Sequence, residues 1–180
     1  MLPPLQQQLI GIGLVGLGTY FAVQLARGLV GYLRYRRVAP TALATWPAPR
    51  PAQLPLLLLL GVAGAVIAAF NAWMQRPLHH VVGLTLMAVY FLGLVPLARR
   101  IRLGFYRDGV WAHRGFIRWE DVARIAFVET PEVVLLLQPR RSGASYKLPV
   151  PVEEYGTVRK VLEEKARAGV LHLEPALPGL

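Results

Sequence analysis

Three short stretches hold residues with chemical potential. Trp119-Glu120-Asp121 sits inside "GFIRWEDV" and places two carboxylates side by side. Paired carboxylates can do general acid–base work when they face one pocket. Adjacent strand residues point to opposite faces, so this pair fits the capping of a turn better than shared chemistry. His79-His80 offers two imidazoles. Neighbouring helical positions do not face each other, and no third ligand lies near in sequence. The start of an interfacial helix is the simpler reading. His113 falls in a predicted strand, with no partner that the sequence identifies, and a surface imidazole is expected.

Arg140-Arg141-Ser142-Gly143 is a basic turn. Guanidinium groups and backbone N–H groups in such a turn can hold a phosphate. Arg99, Arg100 and Arg102, with Arg107 and Arg114, extend the positive charge. A solvated hairpin tip is the alternative. Near an anionic leaflet each such charge is worth about 1 kcal/mol. The expected contacts with anionic lipid are therefore Arg99, Arg100, Arg102, Arg140 and Arg141.

Enzyme patterns are missing. Serine occurs only at 142 and 145, and cysteine not at all. There is no G-x-S-x-G, P-loop, dinucleotide glycine fingerprint or H-E-x-x-H. No catalytic residue, cofactor or metal site is expected, and the chain reads as a non-enzyme.

The elements that position these residues differ between the two halves. The first 98 residues carry six Arg and no acid; all ten Asp and Glu lie at Asp108 or later. The overall charge is +10, and 54% of residues are apolar. High positive charge often points to nucleic acid. Here it borders apolar runs, so anionic headgroups are the expected counter-charge and nucleic acid is not an expected partner. Runs at about 9–33, 54–74 and 78–98 each reach the ~20 residues needed to cross a ~30 Å hydrocarbon core. The first run has no basic residue before it and Arg27, Arg34, Arg36 and Arg37 after it. A signal peptide has the reverse order, so an uncleaved anchor is expected. Glycines at 11, 13, 16 and 18 read as membrane packing.

Arginine flanks set the expected topology. The N-terminus lies outside, and the Pro-rich loop 38–53 and everything after Arg99 are cytoplasmic. Tyr32, Tyr35, Trp46 and Trp73 fall where interfacial aromatics are expected. Gly61, Ala65 and Ala69, beside Gly64, Ala68 and Ala72, allow another helix to approach closely. Span three is the expected partner, with homodimerisation the lesser use. Tyr20, Gln24 and Arg27 share a helix face, and Arg27 either snorkels or marks a polar route.

From Leu103 the period changes. Asp108-Gly109 between two β-prone runs signals a hairpin. Strands follow at about 109–116, 123–129, 132–138 and 145–150, the fourth of these five strands buried on both faces. Pro151 opens an amphipathic helix with Val152, Tyr155, Val158, Val161 or Leu162, and Ala166 on its apolar stripe, ended by Gly169. Residues 170–180 read as a flexible tail.

Arg107-Asp108-Gly109-Val110, Gly115 to Val122, and Leu148-Pro149-Val150-Pro151 together resemble bacterial PH-like domains, which are often fused to two or three transmembrane helices. The resemblance covers residues 102–168. It implies a packing signature and not a reaction, with "IRWED" as a strand corner: Ile117 and Trp119 inward, Glu120 and Asp121 capping.

The expected architecture is three transmembrane helices over 1–101 and a small α+β PH-like domain over 102–169. It has about five antiparallel strands and a C-terminal helix. The expected protein is a multi-pass bacterial inner-membrane protein. Its cytoplasmic domain would be a binding or scaffold module for anionic lipid, a protein partner or a second copy. The alternative is a small transporter or transport accessory lined by Tyr20, Gln24 and Arg27.

Overall fold

A computed structural model describes residues 4–113, 115–129, 133–140 and 145–171. The chain divides into two compact units, 1–33 with 49–100, and 34–48 with 101–180.

The first unit is helical. Helix α1 runs Pro4–Val38, α2 Leu54–Trp73 and α3 Leu78–Val89. The chain continues from α3 through a π-helical segment, Tyr90–Leu94, into the short α4, Val95–Ala98. Pro96 sits in that last turn, and a missing N–H there accounts for the change of helical pitch. Three stretches, Leu9–Thr41, Leu54–Trp73 and Leu78–Ala98, are long and apolar enough to cross a membrane.

Small residues set the helix contacts. A Cβ added at Gly61 would meet Phe91 and Leu92, and one at Gly64 would meet the Met87 side chain. Thus α2 runs antiparallel to α3, with Gly61, Gly64 and Ala68 buried at the seam. On α1, Gly11 lies against His79, Gly18 against Gly83 and Gly28 against Leu94. Both numbers rise together, so α1 runs parallel to the third span. Phe21 fills the seam between them and packs on Tyr90 and Phe91 at 5.2 and 5.5 Å between ring centres.

The second unit is built of two antiparallel sheets and a helix. One sheet has the order β1-β2-β3-β4 and the other β5-β6-β7. The first comprises Ala42–Pro47, Arg102–Tyr106, Gly109–Ala112 and Gly115–Arg118. The second comprises Val122–Glu129, Val133–Pro139 and Tyr146–Pro149. Helix α5, Tyr155–Arg167, follows. Its inward residues Val158 and Leu162 are fully buried, as are Phe105, Val110, Ile125, Leu135, Leu137 and Leu148. Gly169 ends the helix with φ 69°, the left-handed conformation such a stop requires.

Among the described residues seven strands stand where five are expected. The predicted strand 109–116 reverses between Ala112 and Gly115, which face each other in the ladder. Gly115 adopts φ 124°, a conformation that disfavours side chains, and His113 lies in the reversal with its ring exposed. The other extra strand is β1, inside the segment 38–53 that reads as a loop. Pro40, Pro47, Pro49 and Pro51 mask it in the sequence. An edge strand tolerates proline at its ends, because its outer side needs no ladder hydrogen bond.

Strand β1 makes this unit discontinuous in sequence. It pairs antiparallel with β2, from Ala42 opposite Tyr106 to Pro47 opposite Arg102, with an irregularity between Ala42 and Ala44. Tyr35 and Trp46, expected as interfacial aromatics, are instead buried in this unit. Tyr35 packs edge-on against Trp111 at 5.3 Å, and Trp46 against Phe105 at 6.0 Å.

Smaller corrections concern the edges of elements. The hairpin turn is Arg107-Asp108, and Gly109 already belongs to β3. Strand β6 buries Leu135 and Leu137 fully but leaves Val134 and Leu136 only half-buried, so one face alone is deep. Val152 lies in a 3-10 turn before α5 and is 82% exposed. The tail from 172 lies outside the described residues.

Gly104 has φ 136°, and a Cβ there would strike the Ala44 carbonyl and approach the Thr45 Cα at 2.8 Å. Gly104→Val is expected to destabilise the second unit by more than about 2 kcal/mol. Gly156, in α5, has open space. Gly156→Ala should stabilise by up to ~1 kcal/mol. Thermal unfolding of the full-length protein in detergent measures both. Equal tolerance of the two changes would contradict the close approach of β1 and β2.

Candidate functional site

The corner at Trp119 resolves the question raised by the paired carboxylates. Trp119–Asp121 forms a 3-10 turn between β4 and β5. Trp119 is 4% exposed. Its Nε1 donates to the carbonyls of Tyr106 and Arg107 at 3.0 and 3.1 Å. Its ring stacks on Phe105, with centres 5.6 Å apart and planes 14° apart. Lys165 of α5 donates to the Arg107 carbonyl at 3.1 Å and lies over the Trp119 ring at 5.7 Å. One indole therefore joins the first hairpin, the corner and the terminal helix.

The two carboxylates differ in their surroundings. Glu120 is exposed and pairs with Arg118 at 3.1 Å. Asp121 is half-buried, and its backbone carbonyl accepts from the Arg140 N–H at 2.7 Å. The residue that opens the turn, Arg118, makes no capping hydrogen bond with its side chain. The expected capping by Glu120 is replaced by an ion pair in water, worth at most about 1 kcal/mol. Ile117, expected inward, is only half-buried.

The arginines fall into three situations. Arg99 and Arg100 are exposed at the end of α4, in the first unit. Arg102 opens β2; it is exposed and donates to the Thr45 carbonyl at 2.9 Å. Arg140 is exposed too, but its Nε leans toward the Val122 carbonyl at 3.4 Å. Arg141, with the rest of the basic turn to 144, lies outside the described residues, as does Arg114. The structure thus brings Arg102 onto β1 and ties Arg140 to the β5 end of the other sheet.

The remaining polar residues stay apart from these. His79 is exposed, and its ring lies 4.6 Å from that of His80. Among the described residues no three His, Asp or Glu side chains gather to hold a metal. Gly18, Phe21 and Gly28 lie at the seam between α1 and the third span, whereas Tyr20 and Arg27 are exposed and Gln24 is half-buried. An apolar cleft of about 590 Å³ lies between α2 and α3, lined by Ala65, Ala69, Val89 and Leu92 among others. Thr85 also borders the cleft, but its hydroxyl donates to its own helix, at the Val81 carbonyl, 2.8 Å away.

Tyr106 is a titratable group that sequence reasoning did not single out. Its hydroxyl donates to the Arg102 carbonyl at 2.9 Å. Burial, reinforced by Tyr35, pushes the hydroxyl well above the ordinary tyrosine range. The folded state favours the neutral phenol. Its contribution to stability is therefore complete below the unfolded value near ~10 and is lost as pH rises toward the folded one. A difference titration against Tyr106→Phe should show no phenolate from Tyr106 near pH ~10 while the protein stays folded. Ordinary titration there would contradict the burial.

Trp119→Phe keeps the stacked ring and removes the N–H donor. It is expected to cost about 1–3 kcal/mol, from the carbonyls left unpaired. An unchanged denaturant midpoint would show that the two hydrogen bonds contribute nothing. No family model, curated protein or solved structure matches this chain.

Proposed function

We propose that this is a membrane-anchored, non-enzymatic binding module whose sheet unit engages anionic lipid headgroups on the cytoplasmic face of a bacterial inner membrane. The observation that carries the reading is Arg99-Arg100-Ile101-Arg102 at the exit of the third apolar span. All three guanidinium groups are exposed, and no acid precedes Asp108. Positive charge in that position is the pattern that sets cytoplasmic orientation and attracts anionic leaflets. The resemblance of 102–168 to bacterial PH-like domains fits this reading. Support comes from the two antiparallel sheets followed by a C-terminal helix, and from the use of "IRWED" as a corner.

The discontinuous strand decides how the proposal is tested. A fragment starting at residue 102 lacks β1, so the full chain is required. The protein is reconstituted in mixed phosphatidylcholine and phosphatidylglycerol vesicles at low salt. Spin-labelled lipids then report the preference of its boundary shell for each headgroup. Wild type should prefer phosphatidylglycerol severalfold, at ~1 kcal/mol per cation near the surface. The variant Arg99→Gln, Arg100→Gln, Arg102→Gln should lose most of that preference, and so should wild type at high salt. No preference in wild type, or the same preference in the variant, would refute the lipid reading.

A further inference from the structure

The outward face of α1 is polar where lipid would have to solvate it. At about 100° per residue, Gly13, Gly16, Tyr20, Gln24, Arg27 and Gly31 fall within roughly 80° of arc. The face that packs on the third span, with Gly11, Gly18, Phe21 and Gly28, is a different one. Tyr20 is 57% exposed, Arg27 is exposed and Gln24 is half-buried. Among the described residues none of the three side chains forms a hydrogen bond or ion pair. The threonines in the spans differ. Thr19 donates to the Val15 carbonyl at 2.9 Å and Thr85 to the Val81 carbonyl, so each is satisfied within its own helix.

Depth decides between lipid and protein as the partner. Gly28 lies level with Leu94, five residues before Arg99. Arg27 is therefore roughly 9 Å deeper along the helix than the arginines closing the third span. A long side chain can reach back to headgroups over such a distance. Gln24 and Tyr20 lie roughly 4–5 and 10–11 Å deeper again and cannot follow. Snorkelling would serve the guanidinium and leave an amide and a phenol unpaired in hydrocarbon, where unmet polar groups are costly.

Charge decides which protein. The chain has no acid before Asp108, so a second copy offers no carboxylate at this depth. A symmetric pair through this face would also bring two Arg27 side chains together. We infer that this face of α1 docks a transmembrane helix of another protein that carries a carboxylate. That group meets Arg27, with Gln24 and Tyr20 as hydrogen-bonding neighbours. Gly13, Gly16 and Gly31 supply the close approach, since nothing lies within 4 Å of a Cβ built at any of them. Interfaces of this composition hold helices together in membranes by packing and interhelical hydrogen bonds. The inference uses no residue of the arginine cluster at 99–102, so it stands or falls separately from the lipid reading.

The absence of cysteine allows one label at a chosen place. A donor dye is attached at Met74→Cys in the full chain, in phosphatidylcholine vesicles. The probe is an acceptor-labelled poly-leucine transmembrane peptide with one Glu at the depth of Arg27, compared with its all-leucine counterpart. Energy transfer should show the Glu peptide binding about tenfold more tightly. Arg27→Leu should abolish that difference, and Gly16→Leu should weaken binding of the Glu peptide. Equal binding of the two peptides would overturn the proposal, and that comparison needs no variant. So would an unchanged difference in Arg27→Leu. Stronger transfer between donor- and acceptor-labelled copies of the protein itself would also overturn it, in favour of self-association.

Discussion

The second unit depends on the pairing of β1 with β2. Its core aromatics come from both sides of that ladder, with Trp46 on one strand and Phe105 on the other. Gly104 permits the approach, because any side chain there would meet the backbone of β1. The pairing also buries an indole whose N–H has no partner among the described residues, that of Trp46. Leaving such a group unpaired costs about 1–3 kcal/mol. Burying an aromatic of this size removes ~150–250 Å² from water. At ~25 cal/mol per Å² that is worth roughly 4–6 kcal/mol, so hydrophobic burial outweighs the orphaned donor. Phe105 then stacks on Trp119, whose own N–H is satisfied twice. The chain of contacts runs from the strand between two spans to the corner and on to the terminal helix.

What the sequence made legible follows from the strength of each signal. The spans were plain because eighteen or more uncharged apolar residues have few other uses. The terminal helix and its stop at Gly169 were plain because the apolar spacing and the glycine agree. Strand β1 was hidden because Ala42-Leu43-Ala44-Thr45-Trp46-Pro47 has little β propensity and is bracketed by prolines. Its place is fixed by a strand more than fifty residues away, and no local pattern reports such a partner. Trp46 and Tyr35 were misplaced for the same reason. An aromatic next to a span fits the membrane interface, and only the distant ladder shows that these two lie in a protein core. The turn at His113 was lost because apolar residues continue on both sides of it.

The candidate sites were legible unevenly. The arginines at 99, 100 and 102 could be read from charge alone, since charge needs no geometry to be counted. The corner at Trp119 was placed correctly as a packing feature, but the fate of Glu120 was not, because an ion pair to Arg118 depends on side-chain direction. The polar face of α1 was visible as a spacing, while its orientation away from the third span required the packing of Gly18, Phe21 and Gly28. Two kinds of environment are involved. Arginine 102 sits where water can screen and solvate it. Arginine 27 sits on a stretch too apolar to do either, and the same side chain therefore has a much stronger need for a counter-group there.

The separation of β1 from β2 also sets an order of events during synthesis. Thr45 and Arg102, joined in the finished ladder, are 57 residues apart. At ~5–20 residues per second a ribosome takes roughly 3–11 s to cover that distance. During that interval two hydrophobic segments must enter the bilayer while an alanine- and tryptophan-bearing edge waits without its mate. Its short length and flanking prolines make it a poor template for wrong pairing. The feature that concealed the strand from pattern reading thus protects the nascent chain until its proper neighbour emerges.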